Sequence, residues 1–247
     1  VKKLSFELGG KSASIVFADC DWERTIDGTL LGIFSNNGQQ CLAGSRILVE
    51  ETIYNKFVAE FVERANNIKV GNPLDESTEV GPLVSANHYR KVLNFIEQGK
   101  AEGAEILAGG NRPNELNKGF YLRPTVFGEG LSATCISREE IFGPVAVFKK
   151  FKTEDEAIQL ANDSQFGLAG YVWTENLERA NRVSRAIRTG TVWVNTPLFR
   201  DIRVPFGGIK QSGFGRDGAF FERRHRPSPT DQDREHESIL GASGFGL

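Results

Sequence analysis

The strongest constraint on the fold is a repeated alternation of helix-like and strand-like segments. Apolar residues recur at helical spacing from Trp22 to about Asn36 and from Thr52 to Ile68. Runs typical of strands, such as 46–50 and 191–194, lie between segments of this kind. Strands that alternate with helices predict a three-layer α/β domain with a largely parallel sheet.

Local signals predict where some of these elements begin and how they are placed. Asp21 is suited to cap the first long helix, and Thr52 is a candidate cap for the second. The run 120–127 is expected to be extended, but Pro124 argues against a central place in the sheet because proline cannot donate a ladder hydrogen bond. Lys11 and Lys210 are expected to be surface lysines.

A cysteine framed by glycines is the first candidate for chemistry. Cys41 lies in the run Gly38-Gln39-Gln40-Cys41-Leu42-Ala43-Gly44, and two glutamines give the thiol a polar approach. The glycines let the backbone turn sharply and bring other groups close to the sulfur. A buried structural cysteine is the commoner fate of a free thiol, and this stretch alone does not exclude it.

A carboxylate before a double glycine is the second candidate. Glu7 lies in the apolar run Phe6-Glu7-Leu8-Gly9-Gly10-Lys11-Ser12. Apolar surroundings raise the pKa of a glutamate, which suits a general base that works near neutral pH. Taken alone, a surface or capping carboxylate is the commoner interpretation of such a residue.

These two runs and a third, Glu139-Glu140-Ile141-Phe142-Gly143-Pro144-Val145, resemble motifs of the aldehyde dehydrogenase superfamily in order and spacing. The resemblance extends from Leu4 to about Gly218. It implies the family's α/β catalytic-domain portion, with Cys41 as nucleophile and Glu7 as general base.

The same resemblance implies a nicotinamide cofactor, NAD or NADP. By carry-over, Glu140 holds the hydroxyls of the nicotinamide ribose and Phe142 packs beside the nicotinamide. His88 matches a position near the adenosine end of the cofactor, but an exposed helix histidine is an equal alternative. Without the family, a solvated carboxylate and a core aromatic would be the preferred interpretation of Glu140 and Phe142.

The loop before Pro205 carries the prediction about the substrate. Arg200 and Arg203 flank Asp201, a pattern similar to the subgroup that oxidises hydroxymuconate semialdehydes of ring-cleavage pathways. A guanidinium can hold the far carboxylate of such a substrate, with Arg203 preferred because it lies nearer the turn. Two ordinary surface arginines paired with Asp201 are the alternative. Asn195, at a strand end, is either a substrate contact or a turn asparagine.

Composition excludes several classes of protein. The formal net charge of -2 gives no bias towards nucleic acid, and no apolar run is long enough for a membrane span or a leader. Three cysteines without a C-x-x-C pair argue against a disulfide framework or a zinc site, and they suit a reducing cytoplasm.

The domain prediction is an aldehyde dehydrogenase catalytic domain at 1–218 and a divergent, disordered tail at 219–247. The chain starts with Val1, and no G-x-G-x-x-G loop follows a strand, so a fragment without the cofactor-binding domain is expected. The tail replaces a strand that helps to assemble the oligomer in the family, which puts homo-oligomer formation in doubt.

The resulting function prediction is oxidation of a small-molecule aldehyde to the acid through a thiohemiacetal and a thioester on Cys41. Three alternatives remain. A folded but non-catalytic fragment is the main rival. A coenzyme A-acylating variant is less favoured because of the Glu7 motif, and a cysteine hydrolase would need a histidine near Cys41.

Overall fold

The computed structural model describes residues 4–129 and 134–218. The strands within them are β1 (Phe6–Glu7), β2 (Ala13–Val16), β3 (Arg46–Glu50), β4 (Ile106–Ala108), β5 (Thr125–Glu129), β6 (Val145–Phe151), β7 (Phe166–Gly167), β8 (Ala169–Trp173), β9 (Thr191–Val194), β10 (Ile209–Lys210) and β11 (Gly213–Phe214). The helices are α1 (Trp22–Phe34), α2 (Tyr54–Asn67), α3 (Ala86–Ala101), α4 (Cys135–Arg138), α5 (Glu154–Asn162) and α6 (Leu177–Ala186). The predicted tail, 219–247, lies outside the described residues.

One large sheet organises the described residues. Its strand order is β4-β5-β6-β3-β2-β8-β9, and all neighbours are parallel except β4 and β5. Two short antiparallel pairs, β1 with β11 and β7 with β10, form separate ribbons. The predicted α/β class with a largely parallel sheet is confirmed.

Helices cover both faces of this sheet because successive strand residues point to opposite sides. Val49 packs in a buried cluster with Phe57 of α2, whereas its neighbour Leu48 packs with Ala157 of α5 and Val183 of α6. Burial of this apolar surface on both sides is the main favourable contribution to folding. The three-layer prediction is therefore confirmed as well.

The helix that leads to Cys41 begins and ends for visible reasons. The side chain of Asp21 accepts a hydrogen bond from the Arg24 N–H at 3.2 Å, so the predicted cap is confirmed. The helix ends at Phe34, and Asn36 and Asn37 then adopt φ angles of 49° and 59°. Asparagine tolerates this left-handed region, which turns the chain towards the cysteine loop.

Two local predictions were wrong. Thr52 does not cap α2, because the helix begins at Tyr54 and the Thr52 hydroxyl donates to Glu50 instead, at 3.3 Å. Strand β5 lies inside the sheet, between β4 and β6, despite Pro124. Since β5 begins one residue after the proline, no ladder hydrogen bond is lost.

The loops that precede the central parallel strands lie close together, at the amino-terminal ends of these strands. Gly10 lies just before β2, Cys41 before β3 and Phe142 before β6, and these three strands are neighbours in the sheet. The fold therefore brings together motifs that are up to about 130 residues apart in the chain. None of the helices in residues 4–129 and 134–218 has the length and apolar character needed to cross a bilayer.

Candidate active site

The loop that carries Cys41 is held by its glutamines. The amide of Gln40 donates to the carbonyl and the hydroxyl of Ser35, at 3.1 and 2.9 Å. The side-chain oxygen of Gln39 accepts from the Val84 N–H at 3.0 Å. These side chains are thus engaged in anchoring the loop, a role that the sequence did not reveal.

The Cys41 thiol is half-buried and subject to opposing electrostatic influences. Burial is the main cause that raises its pKa, and the negative charge of Glu7 raises it further. The backbone N–H groups of Cys41 and Leu42 act in the opposite direction by stabilising the thiolate. Two N–H groups directed at the sulfur are also suited to stabilise an oxyanion formed next to it.

An aromatic wall supports this loop. The rings of Tyr171 and Trp193 stack with centroids 5.3 Å apart, and both pack in a cluster with Phe206, Leu42 and Cys41. The Tyr171 hydroxyl donates to the Leu42 carbonyl at 2.8 Å. This contact fixes the position of the residue that follows Cys41.

Glu7 lies on β1 and is exposed, yet its pKa is raised. The largest cause is burial by neighbouring groups, followed by the negative charge and a side-chain hydrogen bond of Asp217, whereas the charge of Arg200 lowers the pKa. The predicted direction is therefore confirmed, but an apolar environment is only part of the reason. The sequence analysis missed Asp217, although the residue lies in the glycine-rich run 213–218.

Gly9 and Gly10 join the segment that carries Glu7 to the rest of the candidate site. An added Cβ at Gly9 would overlap the Glu140 carboxylate, and one at Gly10 would overlap the Cys41 carbonyl oxygen. The Gly10 N–H donates to Oε1 of Glu140 at 3.0 Å. The absence of side chains here lets three motifs approach one another closely.

The two predicted cofactor residues lie beside this turn. Glu140 is half-buried, and burial raises its pKa while the Gly10 N–H and the charges of Lys91 and Lys11 lower it. Phe142 has a φ of 58°, and its carbonyl accepts from Nε2 of His88 at 2.6 Å. His88 is thus a half-buried support for the Phe142 loop, and a contact with adenosine remains a prediction.

The prediction that Lys11 lies at the surface was wrong. The residue is only 2 % exposed and its Nζ has no hydrogen-bond partner among the described residues. Burial and the nearby charge of Arg46 lower its pKa to about 7. Together with Glu140 it lines a cavity of about 10 Å³. Lys210 is exposed, as expected.

The two candidate substrate arginines have different surroundings. The guanidinium of Arg203 pairs with both carboxylate oxygens of Asp201, and its side chain is 80 % exposed. The guanidinium of Arg200 lies 4.3 Å from the ring centroid of Phe206, and its charge acts on Glu7. The geometry thus brings Arg200, rather than Arg203, towards Glu7.

Asn195 follows β9 and lies at the carboxyl-terminal ends of the parallel strands, opposite the ends near Cys41. Its side-chain oxygen accepts from the Thr174 N–H at 3.0 Å, and its amide nitrogen donates to the Thr174 carbonyl at 2.8 Å. Its φ is 53°. These features are those of a turn asparagine, the alternative that the sequence left open.

The chain is similar in sequence and in fold to known proteins. The sequence model of the aldehyde dehydrogenase family matches residues 1–223. The chain belongs to the aldehyde dehydrogenase family. Betaine aldehyde dehydrogenase of Atriplex hortensis is 48 % identical over 217 residues, which cover 88 % of this chain and 43 % of that protein.

Other members of the aldehyde dehydrogenase family match to a similar extent. The 5-carboxymethyl-2-hydroxymuconate semialdehyde dehydrogenase of Escherichia coli is 46 % identical over 229 residues, covering 91 % of this chain and 48 % of that one. The structure of betaine aldehyde dehydrogenase from Staphylococcus aureus in complex with NAD+ matches with a TM-score of 0.87 and 43 % identity, covering 89 % of this chain and 44 % of that one. The chain spans less than half the length of these relatives.

Proposed function

We propose that this chain carries the nucleophile and the general base of an NAD(P)-dependent aldehyde dehydrogenase. The observation that carries the proposal is the convergence of three sequence motifs at the Gly9-Gly10 turn. There the Gly10 N–H binds Glu140, the Gly10 backbone abuts Cys41, and the charge of Glu7 acts on the Cys41 thiol.

In the proposed reaction, the Cys41 sulfur attacks the aldehyde carbon and forms a thiohemiacetal. The thiol proton passes to solvent, and the N–H groups of Cys41 and Leu42 stabilise the negative oxygen. After oxidation to the thioester, Glu7 removes a proton from the attacking water and passes it to the Cys41 sulfur as the acid leaves. Asp217 keeps the pKa of Glu7 raised, which suits both proton transfers.

The residues present fit a nicotinamide cofactor. Oε1 of Glu140 accepts from Gly10, and Oε2 lies in the space that a side chain at Gly9 would fill. Because the carboxylate is half-exposed and has several lone pairs, it can also accept ribose hydroxyls. Phe142, whose loop His88 supports, supplies an apolar neighbour for the nicotinamide. When bound, the cofactor supplies the acceptor for the hydride.

The proposed substrate class is a small aldehyde that carries a carboxylate, as in a muconate semialdehyde. Arg200 is the better placed guanidinium, because Arg203 is already neutralised by Asp201. The E. coli relative named above for a carboxylated semialdehyde supports this choice. We place the activity in a reducing compartment such as the cytoplasm, since Cys20, Cys41 and Cys135 are all free thiols.

The cysteine hydrolase alternative lacks its base. Among residues 4–129 and 134–218, His88 is the one histidine, and its Nε2 donates to Phe142 rather than approaching Cys41. A folded fragment without activity remains the main rival, because less than half of each relative is matched.

The experiment is an aldehyde-dependent NADH assay on this chain, alone and joined to the remaining portion of a relative. In the joined form, Arg200→Ala should raise KM for a carboxylated semialdehyde by roughly tenfold or more, since a charged hydrogen bond is worth about 1.5–3 kcal/mol. Arg203→Ala is the matched control and should change KM little. Equal effects of both variants on a carboxylated and a neutral aldehyde would refute the assignment of the substrate.

A further inference from the structure

Glu140 makes a contact that its expected role in cofactor binding does not require. One oxygen of its carboxylate accepts the Gly10 N–H at 3.0 Å, and the carboxylate occupies the space where a side chain at Gly9 would lie. The contact joins positions 130 residues apart in the chain. Glu140 is therefore part of the support of the turn that follows Glu7.

The same turn is held from two other sides. The Ser212 hydroxyl donates to the Gly9 carbonyl at 2.6 Å, and the Ser212 carbonyl accepts from the Leu8 N–H at 3.0 Å. Gly10 lies against the Cys41 carbonyl so closely that a Cβ would not fit. Ser212 is fully buried, whereas Glu140 is half-exposed, so Glu140 is the support that a ligand can reach.

We propose that Glu140 is a positioning residue for the nucleophile: its carboxylate clamps the Gly9-Gly10 turn against the Cys41 loop and thereby limits the exposure of the thiol. This inference rests on the proposed function for the identity of the nucleophile and of the cofactor. The proposed path from Glu140 to Cys41 consists of the hydrogen bond from the Gly10 N–H to Glu140 and the contact of Gly10 with the Cys41 carbonyl. Occupation of Glu140 by hydroxyl groups therefore acts on Cys41 through Gly10.

The test measures the alkylation of Cys41 by iodoacetamide in this chain, without cofactor or aldehyde. Trypsin releases Cys41 in the peptide 25–46, which contains neither of the other cysteines. Glu140→Gln and Glu140→Ala remove the same charge, but only glutamine keeps an oxygen that can accept from Gly10. A difference between these two variants therefore reports the clamp and not the charge.

We expect Cys41 to react roughly fivefold faster in Glu140→Ala than in Glu140→Gln, because losing the neutral hydrogen bond that glutamine can still accept from Gly10 shifts a local opening equilibrium by about that factor. Gly9→Ala displaces the carboxylate without removing it, and it should also react faster than the unmodified chain. Gly32→Ala, within helix α1, is the control, since the added Cβ would lie 3.9 Å from Pro197, an ordinary van der Waals contact. It should leave the rate unchanged.

Hydrogen exchange of the Gly10 amide is the second readout. It should be protected in the unmodified chain and in Glu140→Gln, and unprotected in Glu140→Ala and Gly9→Ala. Equal alkylation rates in the two Glu140 variants, or an unchanged Gly10 amide in Gly9→Ala, would overturn the proposal. If Glu140→Ala exposes all three cysteines by unfolding, Gly9→Ala against Gly32→Ala decides the question. A missing NADH signal would affect the proposed function alone.

Discussion

Cys41 shows how a single residue depends on distant parts of the chain. The glycine frame and the family motifs identify it in the sequence, and so they do for Glu7 and Glu140. The raised pKa of its thiol and its closeness to Gly10 follow from burial and sheet order, which no local pattern encodes. The burial of Lys11 also depends on the assembled sheet. The sequence did not predict it, because lysine is almost never found fully buried.

The pKa of Cys41 should fall when Glu7 is neutralised. Glu7→Gln removes a negative charge that opposes the thiolate, so alkylation of Cys41 near neutral pH should become faster and its pH profile should move to lower pH. Glu97→Gln, an exposed glutamate paired with Lys100, is the matched control. An unchanged or higher midpoint in Glu7→Gln would place Glu7 away from the thiol.

Lys11 should make stability depend on pH. In the unfolded chain it stays protonated up to its ordinary pKa of 10.5, but in the folded chain it loses its proton above about 7. The unfolded state therefore binds more protons between these values, and the free energy of unfolding gains up to about 1.4 kcal/mol per pH unit from this group.

Lys11→Met removes this contribution, so chemical denaturation across that window checks the prediction. The difference in stability between the unmodified chain and the variant should grow in favour of the unmodified chain as pH rises above about 7. A difference that is constant with pH would show that Lys11 keeps its ordinary pKa.

At the scale of elements, the sequence predicted most helices and strands but not how they are joined. Hydrophobic spacing and Asp21 located α1, because both signals are local. Thr52 failed as a cap because the chain continues as a turn up to Ile53, which no nearby residue indicates. The strand order and contacts such as that of Arg46 with α5 are set by long-range packing.

Arg46 is the clearest stabilising link between elements. From the start of β3 its guanidinium donates to the carbonyls of Lys11, Leu160 and Ala161, at 2.8–2.9 Å. Arg46→Met leaves these carbonyls without their donor, and it should cost about 2–3 kcal/mol in denaturant unfolding. Arg203→Ala removes an exposed ion pair and should change the stability little. Equal losses would contradict the role of Arg46.

At the scale of the whole molecule, the described residues contain the proposed catalytic pair and the proposed ribose-binding carboxylate, but no evident site for the cofactor's phosphates lies among them. The connections from β2, β3, β6 and β8 to the helices that follow contain no glycine. A dinucleotide gains most of its affinity from a glycine-rich strand–turn–helix unit. The fold class was predictable from the alternation of helices and strands. Which of the candidate site residues lie together became clear only from the order of the strands in the sheet.

The chain by itself should therefore bind NAD very weakly. Isothermal titration calorimetry on the 247-residue chain should give no saturation at micromolar NAD. A micromolar dissociation constant would mean that the described residues hold the phosphates in a way that their strand-to-helix connections do not show.

Acylation of Cys41 tests the central claim most directly, because it needs no cofactor. An activated ester such as p-nitrophenyl acetate transfers its acyl group to the reactive thiol and releases p-nitrophenolate. Peptide mapping should then find the acyl group on the tryptic peptide 25–46, with little on Cys20 or Cys135. In Glu7→Gln this thioester should accumulate, because loss of a general base slows hydrolysis by about 10²–10⁴. Equal acylation of all three cysteines, or no accumulation in Glu7→Gln, would contradict Cys41 as nucleophile and Glu7 as base.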